Sequence, residues 1–335
     1  MKAVVFERFG GPEVLRVADV PDPQAGPGEV RIAVHAAGTN PVDASNRDDG
    51  SWAGIEVPHV PGYDVAGIVD QVGEGTDGVG IGDHVMAMTP FPRGAGGYAE
   101  LVTIDGGLVA PLPDEVSLVE AAAVPLAAGT ADDVLERIDL AAGSAVLVHG
   151  ASGGVGTFFV QLAALRDLRV IAAASARSHD LLRSLGATAC IDYHDEDVVE
   201  ATVDAVGGAV DAIVDLVGGS SLAASLGAVR SRGQLASIAT PDLDLDPILD
   251  ANLTFHGVLI ADDGDRVRRL ADLVASGTLR PVVAEVYPLE EVAEAHRRLE
   301  TGHSGGKIVL RVRAEGRTQT AHAGGGTSHA DRSDA

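Results

Sequence analysis

The chain has 335 residues, of which 46% are apolar, and a formal net charge of −25. This length predicts two domains of ordinary size with enough chain to bury a core. The acidic balance excludes a nucleic-acid-binding protein, because contact with phosphates needs a basic surface. No apolar run reaches the length of a transmembrane helix without charges or glycine turns, and the N-terminal residues do not have the pattern of a signal peptide. We therefore expect a cytoplasmic protein with no membrane partner.

The charged residues and the cysteine count restrict further which kinds of protein are possible. Lysine occurs only at Lys2 and Lys307, while aspartate is spread along the whole chain. This composition is typical of a halophilic surface adapted to molar salt, where screening relieves self-repulsion; an ordinary acidic protein is the alternative. Cys190 is the one cysteine, which excludes an intramolecular disulfide and a structural zinc site with four cysteine ligands.

The first hundred residues predict a small, β-rich, barrel-like domain. Short apolar segments at 2–6, 29–36, 65–72 and 84–88 have the length of strands and are separated by turns rich in glycine and proline. From about Ser117 the pattern changes, and helices alternate with nearly continuous apolar strands. That alternation indicates an α/β domain with a doubly wound parallel sheet.

The predicted elements of this second region follow one another closely. Strands are expected at 145–149, 170–174, 189–193, 210–217 and 234–239, and helices at 118–123, 131–137, 157–165, 179–185, 195–206 and 221–230. Two later helices, 265–276 and 289–301, and a strand at 307–312 are too few for a domain and are expected to rejoin the first one. The expected division is a β-rich domain at 1–118 and 256–312, a parallel-sheet domain at 119–255 and a disordered tail at 313–335.

The segment 145–156, AVLVHGASGGVG, is the strongest local signal. A buried strand enters a glycine-dense turn that opens a helix, which is the arrangement that binds a dinucleotide pyrophosphate. The glycines alone would also fit a plain tight turn, but the flanking strand and helix favour a cofactor site. The predicted binding residues are Gly150, Ala151, Ser152, Gly153, Gly154, Val155 and Gly156.

The residues after the second strand of this domain indicate which dinucleotide is bound. A protein that binds NAD places a carboxylate here for the ribose hydroxyls, whereas this chain has Ser175, Arg177 and Ser178. Hydroxyls and a guanidinium bind a 2′-phosphate, which a carboxylate would repel. We therefore predict NADPH as the cofactor; the alternative is that Arg177 is a solvated surface charge.

Beyond the glycine segment, the sequence contains the blocks AAGTNPVD at 36–43, PGYDVAGIVDQVGEG at 61–75, GDHV at 82–85, GGYAE at 96–100 and LGATACIDY at 185–193. Together these blocks resemble the medium-chain dehydrogenase/reductase superfamily, and within it the quinone oxidoreductase branch. The resemblance spans about residues 1–312. It implies an N-terminal GroES-like β-rich domain followed by a Rossmann domain, but it does not specify a substrate.

The resemblance also implies that no metal is bound. Zinc-dependent alcohol dehydrogenases of the superfamily carry a cysteine at the position of Asn40, a histidine and a glutamate at Tyr63 and Asp64, and another cysteine near 125–126. Here Asp64 is the one usable ligand, and zinc requires three or four. His59 and His84 lie near these positions in sequence, and we interpret them as structural histidines of strands.

Without a metal to polarise a carbonyl, hydride addition to an electron-poor carbon remains feasible. We therefore expect quinones or α,β-unsaturated carbonyl compounds as small-molecule substrates, with hydrogen bonds from the protein to the developing oxyanion. Two alternatives stay open. One is an enoyl-thioester reductase, and the other is a cofactor-binding, redox-sensing protein without turnover.

Residue type and resemblance together assign the remaining candidates. Asn40 and Tyr63 are candidate hydrogen-bond donors for catalysis, and Asp43 either orients Asn40 or caps a helix. Trp52 either lines the substrate pocket or covers the core, and Tyr63 is equally compatible with a packed aromatic. Further cofactor contacts implied are Thr130, Tyr193, Leu216, Ser237, Ile238 and Lys307, and the alternative for Lys307 is a surface lysine. The resemblance also implies a homodimer that pairs the edge strands of its Rossmann sheets.

Overall fold

The computed structural model describes residues 1–92 and 94–313, and its first part is a mainly antiparallel sheet. The elements of this part are β1 (Lys2–Val5), β2 (Arg16–Asp19), β3 (Glu29–Gly38), α1 (Pro41–Asp48), β4 (Asp64–Val72), β5 (His84–Met88), β6 (Leu101–Asp105) and β7 (Val109–Leu112). The long strand β3 pairs with both β4 and β6. Its alternate residues Val30, Ile32 and Val34 join one buried cluster with Val65 and Val85, as the two-residue period of a strand requires.

The middle of the chain forms the doubly wound sheet that the sequence predicts. Its elements are α2 (Leu118–Ala121), α3 (Pro125–Ile138), β8 (Ala145–His149), α4 (Gly154–Leu165), β9 (Arg169–Ala173), α5 (His179–Ser184), β10 (Ala189–Ile191), α6 (Val198–Val206), β11 (Val210–Asp215), α7 (Ser221–Ala224), β12 (Val229–Ser237), α8 (Asp246–Asp250) and β13 (Thr254–Gly257). The strands pair in parallel in the order β10-β9-β8-β11-β12-β13. The order reverses between β8 and β11, which is the switch point where such sheets bind their ligands. The predicted α/β fold class is confirmed.

The last described segment returns to the first sheet. Its elements are α9 (Gly264–Ala275), β14 (Val283–Pro288), α10 (Val292–Glu300) and β15 (Lys307–Arg311). β15 pairs antiparallel with β3, with Val309 opposite Gly38, and the first sheet runs in the order β14-β15-β3-β4-β5-β7. This pairing brings Lys307, at the start of β15, to the residues that immediately precede α1.

Several predicted elements differ from the structure for identifiable reasons. The predicted helix at 221–230 is wrong beyond Ala224, because Val229 already pairs with Val210 as the first residue of β12. The helices predicted to start at 131 and 157 begin earlier, at Pro125 and Gly154. The predicted tail lies outside the described residues from residue 314 onward. Among the helices that the structure describes, none has the length and apolar content needed to cross a bilayer.

Candidate active site

The glycine segment forms a tight turn between β8 and α4. Gly150 has a φ of 73°, a left-handed conformation that favours glycine, and its carbonyl accepts a hydrogen bond from the Gly153 N–H at 3.0 Å. A Cβ on Gly156 would lie 2.2 Å from the Gly150 carbonyl oxygen, so the turn closes only with glycine there. α4 begins at Gly154, and no side chain of the described residues caps it. The free N–H groups at this helix end fit the pyrophosphate of a dinucleotide.

The ends of β11 and β12 form the other side of this crevice. Leu216 and Val217 follow β11 directly, and a Cβ on Gly150 would lie 2.8 Å from Val217 Cγ2 and 3.4 Å from Leu216 Cβ. Ser237 is the last residue of β12, and Ile238 follows it. The structure thus brings the predicted residues of β8, β11 and β12 together at the switch point.

Asp215, the last residue of β11, is a residue that sequence reasoning missed. Its fully buried carboxylate accepts hydrogen bonds from Val217 N at 3.0 Å, Ser221 Oγ at 2.7 Å and Ser237 Oγ at 3.1 Å. Its backbone carbonyl accepts the Ile238 N–H at 3.2 Å. Asp215 therefore ties the ends of both strands into one crevice wall. In the sequence, an aspartate after an apolar strand signals only a turn.

The residues predicted to bind a 2′-phosphate form the turn after β9. The Ser178 N–H donates to the Ser175 carbonyl at 2.9 Å, which closes the turn, and Ser178 is buried. Arg177 is exposed and forms no ion pair within the described chain. Its guanidinium is thus available to an anion.

The fold adds a carboxylate to this turn that the local sequence lacks. Asp192 follows β10, and it accepts hydrogen bonds from His194 N and from Ala176 N, each at 3.1 Å. The N–H of His194, followed by that of Ala176, holds the pKa of Asp192 below its ordinary value. Tyr193 is 43% exposed, and its ring centroid lies 4.3 Å from that of His194. Tyr193 lies in a turn rather than in the predicted strand, because β10 ends at Ile191.

Asn40, Asp64 and Lys307 form a buried polar cluster, each no more than 3% exposed. Asn40 Nδ2 donates to Asp64 Oδ2 at 2.9 Å, and Lys307 Nζ donates to Asn40 Oδ1 at 2.5 Å. Lys307 Nζ also contacts the Thr39 carbonyl at 2.8 Å and Asp64 Oδ2 at 3.3 Å, so all three of its N–H groups have an acceptor. The Leu126 N–H donates to Asp64 Oδ1 at 2.7 Å.

This cluster is joined to the glycine turn and to α3. A Cβ on Gly154 would lie 2.9 Å from Lys307 Cδ, so the aliphatic part of the lysine packs on the first residue of α4. Thr130 lies one turn after Leu126 on α3, and its hydroxyl donates to the Leu126 carbonyl at 2.7 Å. The structure therefore brings Asn40 and Lys307 to the glycine turn, and Thr130 lies one helical turn from Leu126, which donates to the same polar cluster.

Asp43 lies in the first turn of α1. Its Oδ2 accepts hydrogen bonds from Asn40 N at 2.8 Å and from Tyr98 OH at 2.9 Å. Complete burial raises the pKa of Asp43 to about 7, even though both hydrogen bonds lower it. One oxygen of Asp43 thus both holds the backbone of Asn40 and caps α1. The two roles that the sequence offered for Asp43, orienting Asn40 and capping a helix, are therefore compatible with each other.

An aromatic wall stands beside the cluster. The Tyr63 hydroxyl donates to the Pro92 carbonyl and accepts from Asn46 Nδ2, both at 2.6 Å, and burial raises the pKa of Tyr63 well above its ordinary value. The centroid of the Tyr63 ring lies 5.1 Å from that of the Phe91 ring, and the Phe91 centroid lies 6.2 Å from that of the Trp52 ring. Sequence reasoning missed Phe91, because nothing in the local sequence marks it. Tyr63 and Phe91 share an apolar cluster with Met88, Leu126 and Ile260.

The residues near the cluster do not form a metal site in the part of the chain that the structure describes. No group of three or more histidine, cysteine, aspartate or glutamate side chains is placed there to hold an ion. The backbone of His59 pairs with Phe6, its ring packs edge-on to the Phe6 ring at 5.4 Å, and burial lowers its pKa. His84 lies in β5.

Comparisons with known proteins agree with the fold and the crevice. Residues 26–114 match the alcohol dehydrogenase GroES-like domain, and residues 185–310 match the zinc-binding dehydrogenase family. The chain is 33% identical over 328 residues to the chloroplastic NADPH-dependent alkenal/one oxidoreductase of Arabidopsis thaliana, which covers 92% of this chain and 79% of the relative.

Two solved structures extend the comparison. The quinone oxidoreductase of Coxiella burnetii is 34% identical, with a TM-score of 0.85 over 93% of this chain and 99% of that chain. The Escherichia coli quinone oxidoreductase complexed with NADPH is 27% identical, with a TM-score of 0.85 over 93% of this chain and 100% of that chain. Each likeness spans both sheets described above.

Proposed function

This chain belongs to the quinone oxidoreductase branch of the medium-chain dehydrogenase/reductase superfamily, and we propose that it is an NADPH-dependent reductase of quinones or α,β-unsaturated carbonyl compounds. The relatives that resemble it carry the names alkenal/one oxidoreductase and quinone oxidoreductase. The observation that carries the proposal is the packing of Lys307 against Gly154. It places a cluster of hydrogen-bonding side chains beside a turn built for a dinucleotide.

Different residues of the crevice contact different parts of the cofactor. When bound, NADPH supplies a hydride from its nicotinamide ring. The N–H groups of the glycine turn and of α4 bind the pyrophosphate. The contacts at the adenosine end are Ser175, Arg177, Ser178 and Tyr193, those along the crevice are Leu216, Ser237 and Ile238, and those at the nicotinamide end are Thr130 and Lys307.

Asn40 is the donor that we assign to the acceptor oxygen. Lysine only donates and carboxylate only accepts, so Lys307 and Asp64 fix which end of the Asn40 amide is the oxygen and which is the nitrogen. One N–H of Nδ2 is used by Asp64, and the second is left for the oxygen on which negative charge develops. A donor held in place before the reaction stabilises the transition state without reorganisation. Tyr63, Phe91 and Trp52 form the apolar wall of the acceptor pocket.

We also propose that the enzyme works without zinc. The positions where zinc-dependent relatives carry ligands are occupied here by Asn40, Tyr63 and the 125–126 region, and none of these supplies a thiolate or an imidazole. Asn40 Oδ1 and Asp64 Oδ2 accept hydrogen bonds from the Lys307 ammonium. A positive charge bound to those oxygens opposes a metal cation at the same place.

The first experiment measures oxidation of NADPH and NADH by EDTA-treated, purified protein in about 1 M KCl, with a quinone and a simple enone as acceptors. We expect turnover with NADPH at the same rate before and after chelation. Loss of activity on chelation that zinc restores would overturn the zinc-free proposal. NADPH binding without turnover of either acceptor would overturn the substrate assignment and favour a thioester substrate or a non-catalytic role.

The Asn40→Ala variant tests the donor role. Removing one oxyanion donor is expected to lower kcat by about 10² to 10³-fold, while the Kd for NADPH changes by less than about twofold. An unchanged kcat would remove Asn40 from the mechanism. Tight coupling of any loss in kcat to a loss of NADPH binding would instead indicate that Asn40 acts through Lys307 on the cofactor side.

Assembly, salt adaptation and location belong to the same proposal. β13 is one of the two edges of the parallel sheet among the described strands, and Phe255 on it is 40% exposed, which supports a homodimer formed through this edge. Light scattering should give twice the chain mass, and the Phe255→Asp variant should give a monomer.

The net charge of −25 predicts that KCl raises the melting temperature. A cytoplasmic location stays a prediction that cell fractionation tests.

A further inference from the structure

The turn that carries Arg177 is held by a negative charge from the neighbouring strand. Ile191 of β10 pairs with Ala173 of β9, so the residues that follow these two strands leave the sheet side by side. Asp192 therefore reaches Ala176, which stands between Ser175 and Arg177, and accepts its N–H at 3.1 Å. Arg177 does not neutralise this carboxylate, since no ion pair joins them in the described chain.

We propose that Asp192 is a specificity-determining residue that weakens the preference of this chain for NADPH over NADH. The inference rests on the proposed function, because it concerns the adenosine end of the same cofactor crevice. Ala176, whose N–H the Asp192 carboxylate accepts, is adjacent in sequence to both Ser175 and Arg177. A 2′-phosphate bound by those two residues would therefore lie close to the carboxylate and be repelled by it. A cofactor with a free 2′-hydroxyl meets no such repulsion, and a carboxylate can accept its hydrogen bond.

Asp192 has a second effect that must be separated from its charge. By accepting the Ala176 and His194 N–H groups, its side chain also holds the shape of the turn. Asparagine keeps an oxygen for the Ala176 N–H but removes the charge, whereas alanine removes both. Asp192→Asn therefore changes the electrostatics with the turn retained, and Asp192→Ala loosens the turn.

The test measures equilibrium binding of NADP⁺, NAD⁺ and adenosine 2′,5′-bisphosphate by calorimetry at pH 8, above the ordinary titration range of histidine. The matched control is Asp195→Asn, which makes the same charge change at an exposed carboxylate without a hydrogen bond to a described residue. Salt is set at the lowest KCl concentration that keeps the native circular dichroism of the wild type, and the series is repeated in about 2 M KCl.

We expect Asp192→Asn to tighten NADP⁺ and the bisphosphate about three- to tenfold, as Coulomb's law gives for one charge pair about 4 Å apart in a water-like dielectric. NAD⁺ should change by less than about twofold, and the gain should shrink in about 2 M KCl because screening is then short-ranged. Asp192→Ala should weaken NAD⁺, and it should tighten NADP⁺ and the bisphosphate less than Asp192→Asn does, because the loosened turn opposes the gain from the lost charge. Arg177→Gln should weaken only the two that carry the 2′-phosphate.

The outcomes separate this inference from the proposed function. If neither dinucleotide binds the wild type, the proposed function fails. If NADP⁺ binds but Asp192→Asn shifts NADP⁺ and NAD⁺ equally, or no more than Asp195→Asn does, then Asp192 has no role in specificity and the proposed function stands.

Discussion

Lys307 and Asp64 form a buried ion pair, with Nζ and Oδ2 3.3 Å apart, between residues separated by 243 positions in the chain. β15 and β4 lie on opposite sides of β3, and each begins with one member of the pair. Asn40 completes the pair by bonding to both, so the ammonium charge and the carboxylate charge are each fully hydrogen-bonded. The closing strand of the fold therefore also completes the candidate active site.

Removing Lys307 should leave Asp64 as an uncompensated buried charge. We expect Lys307→Met to lower the free energy of unfolding by about 3 to 5 kcal/mol, as found when one partner of a buried pair is lost. Adding Asp64→Asn to this variant should restore a large part of the loss. Urea denaturation at constant KCl measures both, and Lys2→Met, at the exposed other lysine of the chain, is the control. If the double variant is no more stable than Lys307→Met, the unpaired charge of Asp64 is not the cause of the loss.

Tyr63→Phe separates a packing role from a catalytic one. The Tyr63 hydroxyl bonds to Pro92 and Asn46, and its loss leaves the buried Asn46 amide without that partner. We expect the free energy of unfolding to fall by about 1 to 3 kcal/mol and kcat to fall by less than about threefold. A fall in kcat of tenfold or more at unchanged stability would instead establish the predicted role of Tyr63 as a hydrogen-bond donor in catalysis.

Asp43 should make the stability depend on pH. Its pKa is about 7 in the folded chain and 3.8 in the reference state, so between these values the folded chain binds more protons than the unfolded chain. The free energy of unfolding therefore falls as pH rises from about 4 to 7, by up to roughly 4 kcal/mol from this group. Asp43→Asn removes the titration, so its stability relative to the wild type should rise over this range.

Chemical denaturation at several pH values measures the difference between these two proteins. Asp48→Asn, at an exposed carboxylate of the same helix, is the matched control. A difference between Asp43→Asn and the wild type that stays constant from pH 4 to 8 would contradict the raised pKa.

His296 should produce the opposite slope at lower pH. Its Nδ1 lies 3.1 Å from Arg47 Nη1, and burial, followed by the charge of Arg47, lowers its pKa to about 3 from 6.5. Below pH 6.5 the unfolded chain binds the proton that the folded chain does not, so stability falls as pH decreases. Between pH 6.5 and 4.5 the wild type should lose roughly 2 kcal/mol relative to His296→Asn, which keeps an acceptor for Arg47. If His296→Asn and the exposed control His303→Asn show the same acid profile, this explanation is wrong.

The parts of this protein that could be predicted from its residues are those whose physics is local. The strand, glycine turn and helix at 145–156 could be predicted because close backbone approach and a free helix N-terminus depend on adjacent residues. The alternation of apolar strands and helices was sufficient for the doubly wound sheet, and the missing cysteines and histidines were visible at the positions of Asn40 and Tyr63. The helix boundary at Ala224 was missed because strand pairing of Val229 outweighs local helix propensity.

Which side chains meet across the fold could not be predicted from neighbouring residues. Asp215 becomes the anchor of two strand ends because β11 and β12 pair in parallel and end together. Asp192 joins the turn after β9 because β10 lies beside it in register. Lys307 reaches Asn40 and Asp64 because β15 closes on β3. Each contact is set by strand order and register, and these depend on burying the sheet faces of the whole chain rather than on the residues near the contact.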